Sequence, residues 1–452
     1  MEIAAAVFWG LLMFSLLVFS HEAGHFLVSR LFHVRVTEFF LGMPCPVRLS
    51  WRSERFGTEF GVTPILLGGY NRICGMDSSE PERCADVLAC LSSHGTAPVA
   101  LIAAELGMEN EEVLDCLVAL KDMASAVPAY ADGEDPSGWP ELWKSPKRDA
   151  NGLTVYDDGH DFSAGFSDEG ERFEYAGTAD DFYGAERSHT FRGVSYPKKM
   201  AILVAGIVVN LLTAFCVFVG VMCIAGVEMP VDANMIGSVV DGSAAARAGV
   251  QAGDTVLYVD GVETGSWIDI VKELGKSASD DGEAVLSIRR DGGEMSLTMS
   301  LEEGESTFGV QVPTSVETVD FPTAMKTAAT YIRLTAERIA MLFVPTETME
   351  IVEGSRSIVG VSAMAADAAG KGIADFLFLM ASVALSLGLM NLFPIPPLDG
   401  GKMLFETIGA IRRKPVSQTV QNAVAYAGIA AMLLLFVYTL HADIIRLVSG
   451  GI

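Results

Sequence analysis

Four stretches of this chain are apolar for about the 20 residues that a helix needs to cross the hydrocarbon of a bilayer. They run from about 4–27, 200–227, 373–390 and 420–440. The first has no basic residue before it, only Glu2, and it outlasts the 7–15 residues of a leader's apolar core, so it reads as a retained transmembrane helix. Between the runs the pattern changes. Residues 32–76 carry short strand-like segments at 34–40, 60–63 and 67–70, with a turn at 42–44. Helical spacing returns at 85–91, 97–106 and 110–125, with Gly107 separating the last two. After the second run come a short helix at 243–248, a strand at 256–259, a helix at 267–274 and strands at 284–290 and 295–301. An amphipathic helix is predicted at 323–343.

Charge orients this pattern. Arg30, Arg35, Arg48, Arg52 and Arg55 follow the first run, Arg192, Lys198 and Lys199 precede the second, and Lys402, Arg412, Arg413 and Lys414 precede the fourth. Basic flanks mark the cytosolic side, which places both termini and residues 231–315 outside the cell membrane. The 452 residues are half hydrophobic, their mean hydropathy is +0.36, and the net charge is −26. That balance suits a multi-pass plasma-membrane protein with sizeable soluble parts, and it argues against a nucleic-acid partner. Much of the negative charge sits in 77–186, with 25 acidic and 6 basic residues. The latter part of that stretch, rich in Asp and Gly, reads as a loosely ordered linker. Seven cysteines form no CxxC pair, so neither a disulfide framework nor a cysteine zinc site is implied.

The candidate chemistry lies inside the first apolar run, at His21-Glu22-Ala23-Gly24-His25. On a helix the two histidines share a face and can reach one Zn²⁺, while Glu22 is placed to take a proton from the attacking water. Chance explains many such pentapeptides, but ionisable groups at that depth are costly and are functional candidates by default. A catalytic zinc needs a third protein ligand. The third run leads into Asn391-Leu392-Phe393-Pro394-Ile395-Pro396-Pro397-Leu398-Asp399-Gly400-Gly401, whose prolines forbid a regular helix at membrane depth. Asp399 then falls at the level of His21 and His25 and is the expected third ligand; the alternative is an ordinary Asp-Gly turn. On the second run Gly206 and Asn210 share a face, where close helix packing and an interhelical hydrogen bond are the plain readings.

Together these motifs resemble the site-2 protease family of intramembrane zinc metalloproteases, of the bacterial regulator-of-sigma-E-protease type. The resemblance covers roughly 1–76 and 187–450. It implies His21, His25 and Asp399 as zinc ligands, Glu22 as catalytic base, and Asn391 with Gly68 and Gly69 as substrate-binding residues. Residues 56–60 with 67–70 resemble the family's membrane-reentrant β-hairpin, and 236–261 resemble a bacterial PDZ domain. Residues 98–120 resemble a winged helix-turn-helix core, although Glu109, Glu111, Glu112 and Asp115 occupy the would-be recognition helix. Two departures stand out: Ile207 replaces the proline of the family's Gly-Pro-x-x-Asn, and the acidic insert is extra.

The expected fold is therefore a polytopic α-helical membrane protein with four transmembrane helices, a membrane-associated β-hairpin region, one extracytoplasmic PDZ domain (α+β) and a cytosolic winged-helix-like insert. Its expected parts are 1–31, 32–76, 77–190 with the winged-helix-like part at about 82–130, 198–227, 231–315, 320–372, 373–401 and 418–441. The expected activity is zinc-dependent cleavage of transmembrane segments in single-span proteins such as anti-sigma factors or remnant signal peptides. Membrane lipid and a cytosolic protein bound by the insert are the other expected partners. A non-catalytic PDZ scaffold and a membrane-tethered regulator acting through the insert are the alternatives.

Overall fold

The computed structural model describes residues 2–66, 68–76, 81–130, 138–302, 305–344, 348, 351–352 and 354–448. Leu67 of the last expected strand, and 77–80 and 131–137 of the expected insert, lie outside these, as do 345–347, 349–350 and 353 of the expected external linker. The chain forms two compact units, residues 1–217 with 329–452, and residues 218–328.

The first unit opens with helix α1 (Glu2–Leu31). Strands β1 (Val36–Leu41), β2 (Leu49–Arg52), β3 (Glu59–Val62) and β4 (Gly69–Ile73) follow and form one sheet in the order β2-β3-β1-β4. This corrects the expected pairing of 56–60 with 67–70. β3 runs parallel to β1 and forms a hairpin with β2, whereas β4 pairs antiparallel with the other edge of β1. The reason is burial: Val36, Phe39 and Phe40 are buried, so β1 takes the inner position, where both edges of its backbone find partners. Its apolar side packs with Phe26, Ile73 and Ile202.

The insert contains α2 (Cys84–His94), β5 (Thr96–Pro98), α3 (Val99–Leu106), α4 (Asn110–Asp122), β6 (Val127–Ala129), β7 (Leu142–Lys144), β8 (Arg148–Asp149), β9 (Phe166–Ser167) and α5 (Ala179–Ser188). Gly107, at φ +60°, ends α3 in the left-handed conformation that glycine adopts without strain. Glu109 and Glu112 then cap α4 reciprocally. The three helices bury Val87, Leu88, Ile102, Leu117 and Leu120 against Trp143 of β7, and the sheet order is β5-β7-β6. The packed part thus runs past residue 130, because β7 supplies the middle strand.

The loose linker expected up to Glu186 is also corrected. Arg35, fully buried just before β1, donates to Asp157 at 2.6 Å through both Nε and Nη2 and to Glu186 at 2.8 Å through Nη1. Arg148 donates to Glu186 at 2.7 Å, and the Ser125 hydroxyl donates to it as well. Acidic residues that look solvated in the sequence neutralise buried arginines.

Helix α6 (Tyr196–Ile224) leads into the second unit. There β10 (Val227–Pro230), β11 (Ser238–Val239), α7 (Ala244–Arg247), β12 (Thr255–Val259), β13 (Val262–Glu263), α8 (Trp267–Asp280), β14 (Glu283–Arg290), β15 (Gly293–Ser300), β16 (Val310–Gln311) and β17 (Thr314–Glu317) follow one another. The main sheet has the order β13-β12-β14-β15, and Val256, Val259, Ile270, Leu286, Ile288 and Met299 form its core. Ser243 and Ser266 cap α7 and α8, and α8 runs six residues past the expected end at 274.

Helix α9 (Phe321–Ala340) closes with a 3₁₀ turn at Met341–Phe343. The remaining helices are α10 (Ile358–Lys371), α11 (Ile373–Met390), α12 (Asp399–Arg412) and α13 (Gln418–Val448). Helix α10 falls in a segment expected to be an external linker. It packs along α1 so closely that a Cβ on Gly10 would come within 2.2 Å of Ser362 Oγ. Small residues make that approach possible, and they also hide the helix from an apolar-face search. Ser357 caps it, and Asp443 of α13 accepts the Ser357 backbone N–H at 2.7 Å. Four helices among the described residues are long and apolar enough to cross a membrane: Ile3–Leu31, Tyr196–Ile224, Ile373–Met390 and Gln418–Ile445.

Candidate active site

The site begins with helical spacing on α1. His21 and His25 stand one turn apart with their Nε2 atoms 3.2 Å from each other, and both are buried. Asp399 enters from the start of α12, its Oδ2 3.0 Å from His21 Nε2 and 3.3 Å from His25 Nε2. The loop before it is folded tightly enough to require glycine. A Cβ on Gly400 would lie 2.4 Å from the Leu392 and Phe393 carbonyl oxygens, and one on Gly401 would lie 2.3 Å from Pro396 N. Asn391 caps the end of α11, is 8% exposed, and its backbone carbonyl accepts Gly400 N–H at 2.8 Å.

Helix α6 sets the rings. The Ile202 carbonyl faces His25 Nδ1 at 2.8 Å; a carbonyl can only accept, so Nδ1 carries a proton, which leaves Nε2 as the nitrogen for a metal. The Asn210 amide faces His21 Nδ1 at 3.4 Å and Ser20 Oγ at 3.3 Å. Ser20 has one hydroxyl proton, and it goes to the Leu17 carbonyl at 2.8 Å. Asn210 Oδ1 is the amide atom that faces Ser20, and Nδ2 is the one that faces His21 Nδ1. Helix α6 thus contacts the Nδ1 side of both rings, and their Nε2 atoms are the ones turned toward Asp399.

Close helix contact makes this geometry. A Cβ on Gly24 would lie 2.6 Å from the Ala205 carbonyl oxygen, and one on Gly206 would lie 2.5 Å from His25 Nε2 and 2.7 Å from His21 Cε1. Glycine on both helices lets α6 press its backbone against the histidine face of α1. Two nitrogens and one carboxylate oxygen, all within 4.8 Å of one another, form a donor set that suits Zn²⁺.

The remaining expected residues, Gly68 and Gly69, lie just before and at the start of β4, where Gly69 approaches Glu22 of α1. A Cβ on Gly69, the first residue of β4, would lie 3.6 Å from Glu22 Cγ, and the Asn71 amide donates to the Glu22 carbonyl at 3.3 Å. β4 is the terminal strand of its sheet. Gly68 sits one residue earlier against Met43, and its carbonyl accepts Gly42 N–H at 2.7 Å. Sequence reasoning read Gly206 as a close-packing residue and Asn210 as an interhelical hydrogen-bonding one, without giving either a part in the site. Their shared face on α6 was the available signal; the Ile202 carbonyl has none, since any residue supplies it.

The chain is similar to known proteins along nearly its whole length. The family model described as Peptidase family M50 matches residues 9–435. A zinc metalloprotease RasP of Bacillus licheniformis is 26% identical over 97% of this chain and 98% of its own length. The regulator of sigma-W protease RasP of Bacillus subtilis is 25% identical over 97% of each chain. A zinc metalloprotease RasP of Geobacillus kaustophilus is 25% identical over 96% of each. The chain belongs to peptidase family M50 and is a zinc metalloprotease.

Proposed function

We propose that this protein is an intramembrane endopeptidase that cleaves the membrane-spanning segments of single-span proteins, with His21, His25 and Asp399 holding zinc and Glu22 as the base. The observation that carries the proposal is that all three donors meet on the face of a helix itself apolar enough to span a bilayer. When bound, zinc would polarise the scissile carbonyl and acidify water. Glu22 takes the proton of the attacking water and returns it to the leaving amine. A substrate helix pairs its own amides, so it must open locally before attack. The outer edge of β4, beginning at Gly69 beside Glu22, offers the freed strand backbone partners, with Gly68 and Asn391 flanking the opened segment.

The other parts serve this reaction. Residues 231–315 act as a PDZ domain that screens substrates outside the membrane, favouring those already trimmed there. The winged-helix-like insert, facing the cytosol, binds a protein rather than DNA, since Glu109, Glu111, Glu112 and Asp115 oppose phosphate. Anti-sigma factors are the leading substrate class, in keeping with the name of the Bacillus subtilis relative. Reconstitution with a tagged single-span substrate, followed by mass spectrometry of the products, tests the reading. Scissile bonds inside the apolar segment support it; cuts confined to the soluble flanks overturn it.

A further inference from the structure

The second metal-competent cluster of the described residues lies in the insert. Cys90 and His94 sit one turn apart on α2, and Glu105 reaches them from the last turn of α3. Cys90 Sγ is 3.4 Å from Glu105 Oε2, and His94 Nε2 is 3.0 Å from both carboxylate oxygens. All three ligand atoms lie within 4.8 Å of one another. Ligands that share one tetrahedral zinc, at about 2.0–2.3 Å from it, stand roughly 3.3–3.8 Å apart. Two of the cluster's spacings, 3.4 and 3.0 Å, are close to that range, and the third is within 4.8 Å.

We propose that Cys90, His94 and Glu105 form a second metal site, taking a borderline divalent transition ion such as Zn²⁺ and clamping α2 to α3. One thiolate, one imidazole and one carboxylate match the nitrogen, sulfur and oxygen donors that such ions accept, whereas Mg²⁺ and Ca²⁺ would want oxygens alone. Cys90 is 8% exposed, while His94 and Glu105 reach solvent, so the cluster is anchored in the core and open on one side. Burial and then the Glu105 carboxylate push the Cys90 thiol up to about 11, so without metal the thiol stays protonated and donates to Glu105. Metal binding replaces that proton, and affinity rises with pH. The competing explanation is a surface His94–Glu105 ion pair with Cys90 merely filling the core. Cys84 and Cys116, elsewhere in the same core, have no such histidine and carboxylate group around them among the described residues.

Cobalt distinguishes this site from the protease centre, because His21, His25 and Asp399 supply no sulfur. The full-length protein, stripped of metal in detergent, is titrated with Co²⁺ while near-ultraviolet thiolate-to-cobalt charge transfer is recorded. Wild type is expected to bind two equivalents and show the band. Cys90→Ser should bind one equivalent and lose the band, and Asp399→Ala should keep it. Glu105→Gln, at an exposed position that leaves the core intact, should weaken the band-forming site by at least the roughly 10–100-fold typical of losing an outer partner. A wild type without the band, a band that survives Cys90→Ser, or an unchanged affinity in Glu105→Gln would overturn the proposal.

Discussion

Asp399 Oδ2 lies 3.0 Å from His21 Nε2 although 378 residues separate the two in the chain. Two helices and a tight glycine loop bring them together, and the account of catalysis depends on that convergence. The side chains around it make the following outcomes specific.

Gly206 is the glycine that bears directly on both histidine rings. A Cβ there would press on both imidazoles, at 2.5 Å from His25 Nε2 and 2.7 Å from His21 Cε1. Gly206→Ala is expected to lower cleavage about 100-fold, the cost of displacing catalytic groups by roughly an ångström. Gly220→Ala, with nothing within 4 Å on the same helix, should leave activity unchanged. Peptide-bond cleavage of a single-span substrate, measured alongside zinc content, checks both.

Asn210 acts through His21. With its amide set against His21 Nδ1, Asn210→Ala should cost about 10–100-fold in zinc affinity, as loss of a partner behind a metal ligand does, while helix content stays the same. Competition with a chelator measures it. Equal affinity in the variant would leave the Asn210 contact without a role in ligand orientation.

Much of this site was legible in sequence, for identifiable reasons. His21, Glu22 and His25 are local in the chain and fall at helical spacing. Asp399 was reached by depth, because the prolines after Asn391 mark broken backbone at the end of an apolar run. Pairings between distant segments were not legible. The insertion of β1 between β3 and β4 depends on which strand is most buried, and strand periodicity is the same in either arrangement. Asp157 and Glu186 looked like linker charges because their partner Arg35 lies 122 and 151 residues away. Helix α10 was missed because its Ala- and Gly-rich face packs by close approach.

Arg35 fastens the insert to the sheet beside α1. Removing one partner of a fully buried ion network costs about 3–5 kcal/mol, so Arg35→Ala should lower the thermal midpoint and expose the 138–195 stretch to protease. A variant as resistant as wild type would contradict the structural role assigned to the network.

Acid should loosen the same network. Burial raises the proton affinity of Asp157 and Glu186, but Arg35 and Arg148 outweigh it and hold both carboxyls below their ordinary values of 3.8 and 4.5. The unfolded chain therefore binds protons more readily, and the stabilisation is complete above the ordinary values and lost as pH falls through the folded ones. The thermal midpoint of wild type is expected to hold from pH 7 to about pH 5 and drop below about pH 4, a region where the unfolded carboxyls take up protons. Arg35→Ala should lose most of that dependence.

The most direct test of the central claim compares wild type, Glu22→Gln and Asp399→Ala for zinc content and for cleavage of a tagged single-span substrate in membranes. The account predicts that wild type holds zinc and cuts, Glu22→Gln holds zinc and does not cut, and Asp399→Ala loses both. If Glu22→Gln cuts at the wild-type rate, or Asp399→Ala keeps full zinc occupancy, the assignment of base and ligand is contradicted.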